Sequence, residues 1–218
     1  MIQAVLFDLD QTLLDRSASL KHFLSWQVNT LPLVANSEKQ SFIESFIELD
    51  ANGTVWKDVV YRQLIQKFKI SELTEQQLLT SYIQDFHQFC VAFRGVDTVI
   101  QKLFKAGYSL GLISNGKTPF QEHNFQALGL NRYFSSVIIS EAVGLRKPQA
   151  EIFQLACQQM NVRPEQCVMV GDNEIADIQG AKNIGMQTIL FDPDQKMRST
   201  QADHRVQHFE DILAIIEM

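Results

Sequence analysis

Five of the six residues from Ile2 to Phe7 are apolar, and the run Ala4-Val-Leu-Phe7 predicts a strand buried on both faces. Four further short apolar runs follow: Ser109–Ile113, Ser136–Ile139, Cys167–Val170 and Gln187–Phe191. Helical periodicity fills the gaps between them. Thr98 to Ala106 sets Val99, Ile100, Leu103 and Phe104 on one face and stops at Gly107. Thr118-Pro119 predicts a helix start, and Leu128-Gly129 its end. Pro148 predicts another start, with Ile152, Phe153, Ala156, Cys157 and Met160 inward. A shorter helix over Ile175–Lys182 turns Ile175, Ile178 and Ala181 inward, and Phe209–Ile216 reads as a closing helix. Strand and helix alternating from about residue 95 predict a doubly wound, mostly parallel α/β sheet.

Residues 16–92 follow a different pattern. Trp56, Val60 and Leu64 fall four apart, Phe42, Phe46 and Leu49 make a second stripe, and Phe86, Phe89 and Cys90 a third. These periods predict an all-helical bundle, far too long for a strand-to-helix loop. The expected organisation is an α/β core made of residues 1–15 and 93–218, with residues 16–92 inserted as a helical cap. The alternative is one continuous domain with its helices packed on one side.

Composition narrows the picture. The chain has 218 residues, 45% of them hydrophobic, enough for a substantial core. A net charge of −6 argues against polymeric nucleic acid as a partner, yet allows a small phosphorylated ligand if a metal or a lysine reverses the local field. Cys90, Cys157 and Cys167 form no CxxC pair and read as buried thiols of a reducing compartment. With no basic-then-apolar leader and no membrane-length apolar run, a cytoplasmic protein without membrane partners is expected. Oligomeric state is left open.

The candidate chemistry lies where each apolar run stops. Ligands of open parallel sheets bind beyond the carboxyl ends of the strands. The first strand ends in Asp8-Leu-Asp10-Gln-Thr12 and the second in Ser114-Asn115-Gly116. Arg146-Lys147-Pro148 follows the third, Gly171-Asp172 ends the fourth with Asp177 beyond, and Asp192-Pro-Asp194 ends the fifth. Taken singly, each is ordinary: Asp and Asn serve turns, Thr opens helices, and a lysine beside a proline is commonly solvated. Together they predict carboxylates, hydroxyls and a lysine converging on one edge. Crowded carboxylates repel, and either a hard cation such as Mg²⁺ or a retained proton relieves them. The five histidines lack zinc-like spacing.

These segments resemble the four motifs of the haloacid dehalogenase superfamily, and the likeness spans nearly the whole chain. Asp8-Leu-Asp10-Gln-Thr12 is similar to the first, Ser114-Asn115 to the second, Lys147 within RKPQAEIF to the third, and Gly171-Asp172 with Asp177 to the fourth. The helical insert resembles the cap of the superfamily's first subclass, whose closure would exclude water and shape the leaving-group pocket. The resemblance implies that Asp8 is a nucleophile forming an aspartyl-phosphate, and that Asp10 is the acid for the leaving group and then the base for water. It implies Mg²⁺ held by Asp8, the Asp10 main-chain carbonyl and Asp172. Asp177 would support the metal shell or orient Lys147. Thr12, Ser114, Asn115 and nearby N–H groups would hold phosphoryl oxygens, while Lys147 offsets developing charge. Gln11 departs from the Gly or Asp common at its position, and its side chain is expected to point away.

An aspartate at position 10 favours phosphate monoesters, since the superfamily's dehalogenases and phosphonate-cleaving members lack it. The expected activity is Mg²⁺-dependent hydrolysis of a small phosphorylated metabolite. Members acting on nucleoside monophosphates, the YjjG-like pyrimidine nucleotidases among them, look similar. A sugar phosphomutase and a non-catalytic phosphometabolite-binding regulator are the alternatives. The insert and Asp10 speak against a response-regulator-like receiver. Trp26, Phe42, Phe46, Trp56 and Tyr61 could stack on a base, although their spacing suits core packing. Lys21, Lys57 and Arg62 could meet a second anionic group, although helix-borne cations are commonly solvated.

Overall fold

The computed structural model describes residues 1–216; the last two residues of the predicted core range lie outside the described residues. Among these residues six strands form one sheet: β1 (Ala4–Phe7), β2 (Ser109–Ser114), β3 (Ser136–Ile139), β4 (Cys167–Gly171), β5 (Gln187–Phe191) and β6 (His204–Val206). Their order is β3-β2-β1-β4-β5-β6, and every pairing is parallel. The chain winds outward from β1 to β3, then crosses back to place β4 on the other side of β1. That reversal opens a crevice at the carboxyl ends of β1 and its neighbours. Strand β6 escapes sequence reading because it is three residues long, and only Val206 of it is buried.

Among the described residues, ten α-helices accompany the sheet: α1 (Arg16–Thr30), α2 (Lys39–Asp50), α3 (Lys57–Phe68), α4 (Glu75–Asp85), α5 (Val96–Lys105), α6 (Phe120–Ala127), α7 (Ser140–Val143), α8 (Ala150–Met160), α9 (Gly180–Lys182) and α10 (Asp211–Ile216). Both faces of β1 are buried, as its unbroken apolar run requires. On one face, Ala4 and Leu6 join a cluster with Ile113, Ile152, Phe153, Cys157, Met160 and Met169. On the other, Phe7 packs against Phe134 and Phe209 with ring centroids 6.1 and 6.0 Å apart. Cys157 and Cys167 meet in the core as free thiols, their sulfurs 3.7 Å apart in a hydrogen bond.

Contacts divide the chain into two compact units, Met1–Arg16 with Val91–Met218, and Ser17–Cys90. The second unit is the inserted helical element. Its core is aromatic: Phe23 touches Trp26, Tyr82, Phe86 and Phe89, and Phe46 touches Tyr61 and Tyr82. Phe42, Phe46 and Tyr61 are fully buried, and the Tyr61 hydroxyl donates to Gln27 Oε1 at 3.0 Å. These three rings are core. Lys57 is buried too, paired with Asp50 and donating to the Val55 carbonyl at 2.8 Å, while Arg62 pairs with Glu75.

Three local expectations need correction. Phe104 is exposed and lies against Tyr133 at the surface, because α5 buries only the narrower stripe Val96, Val99, Ile100 and Leu103. Ile175 is exposed because Glu174–Gln179 is π-helical, and the wider turn rotates it off the face that Ile178 and Ala181 share. Helix α8 begins at Ala150 rather than Pro148. Arg146–Gln149 forms a closed turn instead, with Gln149 N donating to Arg146 O and Arg146 N to Gln149 Oε1.

Candidate active site

β1 delivers the first site residue without a break, since Asp8 N donates to the Val170 carbonyl at 2.9 Å and extends the pairing with β4. The chain then turns tightly: Leu14 N returns to Leu9 O at 2.8 Å and Gln11 N to Leu14 O at 2.8 Å. Gln11 sits at the centre of this turn with φ of 62°, a conformation natural to glycine. Gln11 borders the site rather than avoiding it: with Asp172, Phe93 and Phe191 it lines a cavity of about 200 Å³.

Lys147 is the hub. Its Nζ donates to Asp8 Oδ1 at 2.6 Å and to the Ile113 carbonyl at 2.7 Å, and pairs with Asp177 Oδ1 at 2.6 Å. Only 3% of this lysine is exposed, so the three acceptors replace its water shell. Burial pulls its pKa down, but Asp177 and Asp8 outweigh that and hold it above the ordinary lysine value. The main chain of Lys147 is clamped as well. Asn115 Oδ1 accepts from Lys147 N, and Asn115 Nδ2 donates to Lys147 O, each at 2.9 Å. The Asn115 side chain is thus engaged with the lysine rather than free for a phosphoryl oxygen. A phosphate contact from this residue would have to come from its main chain.

The acids reach this hub from two strand ends. Asp177 is brought inward by the π-helical turn. Asn173 opens that turn by accepting from Ile175 N and Ala176 N, and Asp177 Oδ2 accepts from Asn173 N at 3.0 Å. Gly171 makes room, since a Cβ there would collide with the Asp177 carboxyl group. One carboxylate oxygen each from Asp8, Asp172 and Asp177 lie within 4.8 Å of one another. Burial, then repulsion by its neighbours, pushes Asp172 up to about 8; burial likewise carries Asp8 to about 7 despite Lys147. An all-oxygen donor set whose members resist sharing negative charge fits a hard divalent cation.

Asp10 stands apart from that trio. Its Oδ2 accepts from Gln121 Nε2 at 2.7 Å, and the same nitrogen donates to Ser114 Oγ at 2.9 Å. Thr12 is fully buried with its Oγ1 unpartnered, a hydroxyl whose missing partner a ligand oxygen would supply. Asp192, at the end of β5, belongs to its own loop. It accepts from Lys196 N, Met197 N and Arg205. Gln121 is the site residue that motif reading misses. The available signal was the stripe Phe120, Gln121, Asn124 and Phe125, which places two amides on the buried face of α6.

Residues 5–191 match the family model described as haloacid dehalogenase-like hydrolase. The chain is 30% identical over 224 residues to a glyceraldehyde 3-phosphate phosphatase of Methanothermobacter thermautotrophicus, covering 99% of this chain and 96% of that one. It is 29% identical over 228 residues to the pyrimidine 5'-nucleotidase PynA of Streptococcus pneumoniae, covering 98% and 94%. Its fold is similar to that of magnesium-bound YfnB from Bacillus subtilis, with a TM-score of 0.79, 23% identity, and coverage of 100% and 99%. Among the described residues, no helix is long and apolar enough to cross a membrane.

Proposed function

We propose that this chain, which belongs to the haloacid dehalogenase-like hydrolase family, is a Mg²⁺-dependent phosphatase of small phosphate monoesters. The observation that carries the reading is Asp8, held by Lys147 at 2.6 Å inside a cluster of three carboxylates, with a second acid, Asp10, kept out of that cluster. The site thus separates a nucleophile from an acid. In the first step an Asp8 oxygen bonds to phosphorus and the bond to the leaving oxygen breaks. The leaving oxygen keeps the electron pair and takes a proton from Asp10. In the second step water attacks the phosphorus of the aspartyl-phosphate and gives its proton to Asp10, and Asp8 departs as a carboxylate.

The carboxylates of Asp8 and Asp172 would hold Mg²⁺, with the Asp10 main-chain carbonyl added by the family resemblance, and the ion would offset phosphoryl charge and draw the anionic substrate in. Asp177 has both oxygens engaged, one by Lys147 and one by Asn173 N, so its part is to hold the lysine. Lys147 offsets charge on the phosphoryl group, and Thr12 and Ser114 offer hydroxyls to its oxygens. The relatives' names, a triose phosphate phosphatase and a nucleotidase, support the class of small phosphate monoesters and leave the individual substrate open.

The test is phosphate release from nucleoside monophosphates, sugar phosphates and nitrophenyl phosphate, with Mg²⁺ and with EDTA. Release should need the metal and fall to background in Asp8→Asn while the fold, read by circular dichroism, is kept. Turnover retained by purified Asp8→Asn would overturn the reading. Phosphoryl transfer to a sugar hydroxyl in place of water would turn it into a mutase.

A further inference from the structure

We infer that Gln121 is a positioning residue that sets the acid, Asp10, and the phosphate-binding hydroxyl, Ser114, from one nitrogen; the inference rests on the phosphatase reading above. An amide nitrogen carries two hydrogens. Here one goes to Asp10 Oδ2 at 2.7 Å and the other to Ser114 Oγ at 2.9 Å. The orientation of the amide is fixed from behind, because Gln121 Oε1 accepts from Asn124 Nδ2 at 3.2 Å. A flip would set that oxygen against the Asp10 carboxylate and leave Asn124 without its acceptor. Gln121 and Asn124 are both almost fully buried, so neither bond competes with bulk water.

Two consequences follow for the chemistry. Asp10 is only half-buried and sits beyond the end of β1, where an untethered carboxyl would rotate. With Oδ2 held, Oδ1 is the oxygen left to hand over and receive the proton. Ser114 Oγ already accepts from Gln121, so its own hydrogen is directed elsewhere, toward a phosphoryl oxygen. Helix α6 thereby fixes the spacing between the acid and the phosphate pocket. Gly116 is part of the device. A Cβ at that position would strike the Gln121 side chain, whose Cγ packs directly over the glycine.

The test uses Gln121→Met, which keeps length and loses both donors. A displaced acid should cost about 10- to 100-fold in kcat on an alkyl phosphate, with KM within about threefold. The burst of nitrophenol from nitrophenyl phosphate, whose leaving group needs no acid, should stay within about threefold of the parent rate. In the Asp10→Asn background the same substitution should lose most of its effect on kcat, keeping only the smaller part that runs through Ser114. Should Gln121→Met not fold, Gly116→Ala displaces the glutamine without removing it and should give the same leaving-group signature. Equal loss on both substrates, or full multiplication with Asp10→Asn, would overturn the role of Gln121 while leaving the phosphatase standing. Turnover surviving in Asp8→Asn would instead remove the phosphatase reading itself.

Discussion

Asp172→Asn should make the metal-free protein more stable while abolishing its response to Mg²⁺. Folding carries the Asp172 carboxyl from an ordinary 3.8 to about 8, through burial first and then the charges of Asp8 and Asp177. The folded chain therefore holds a proton that the unfolded chain gives up, and stability falls as pH rises from about 4 to about 8. At about 1.4 kcal/mol for each pH decade of that interval, full ionisation costs roughly 6 kcal/mol in a dry site. Asp172 keeps a partly exposed edge through which water screens the charge, leaving about 1–3 kcal/mol at pH 8. Asn keeps the shape without the charge. For a chain of this length the gain corresponds to a Tm rise of about 3–8 °C in EDTA at pH 8. At pH 5 the two proteins should melt within about 1–2 °C of each other, since folded Asp172 is then protonated. Millimolar Mg²⁺ should raise the parent Tm, most at high pH, and leave the variant unmoved. Thermal melts by circular dichroism at pH 5, 6.5 and 8, with and without the metal, decide the matter. A variant less stable than its parent in EDTA at pH 8, or one that Mg²⁺ still stabilises, would refute the reasoning.

Lys147→Met leaves Asp8 and Asp177 facing each other in a buried site without their shared cation. It should cost about 3–5 kcal/mol near pH 8 and much less at pH 5, where Asp8 can take up a proton, as measured by urea unfolding; a loss independent of pH would argue against the pairing. Gly171→Ala should push the Asp177 carboxyl away from Lys147 and lower turnover by about 10-fold or more, with the added methyl visible as a shifted Asp177 in a crystal structure. Full activity in that variant would mean that Asp177 does not hold the lysine during the reaction.

Much of this protein can be read from its sequence because the signals are local. A run of four apolar residues with no polar break, as in Ala4–Phe7, has only the interior of a sheet to occupy. The polar residue that ends such a run must then lie at the strand's carboxyl edge, and in a parallel sheet these edges adjoin. Asp8, Ser114 and Asp172 were legible for that reason, whereas Lys147, eight residues past the end of β3, was legible through its likeness to a family motif. The helical insert was legible because apolar residues recur three or four apart along it, as in Phe42, Phe46 and Leu49, and burial of Phe42 and Phe46 follows from that.

The rest depends on contacts between residues far apart in the chain. No local rule tells that Asn115 grips the main chain of Lys147 across 32 positions, or that Gln121 reaches Asp10 across 111. A glutamine in an amphipathic helix has the same local preferences whether it faces water or a carboxylate. The π-helical turn was hidden for a similar reason: the stretch reads as an α-helix, and it widens where Asp177 is drawn to a lysine supplied by another segment. The sequence by itself determined five of the six described strands, where they end and which acids stand at those ends. Only the tertiary structure decided which partner each acid meets, because hydrogen-bond partnership is settled by distances that exist once the sheet has assembled.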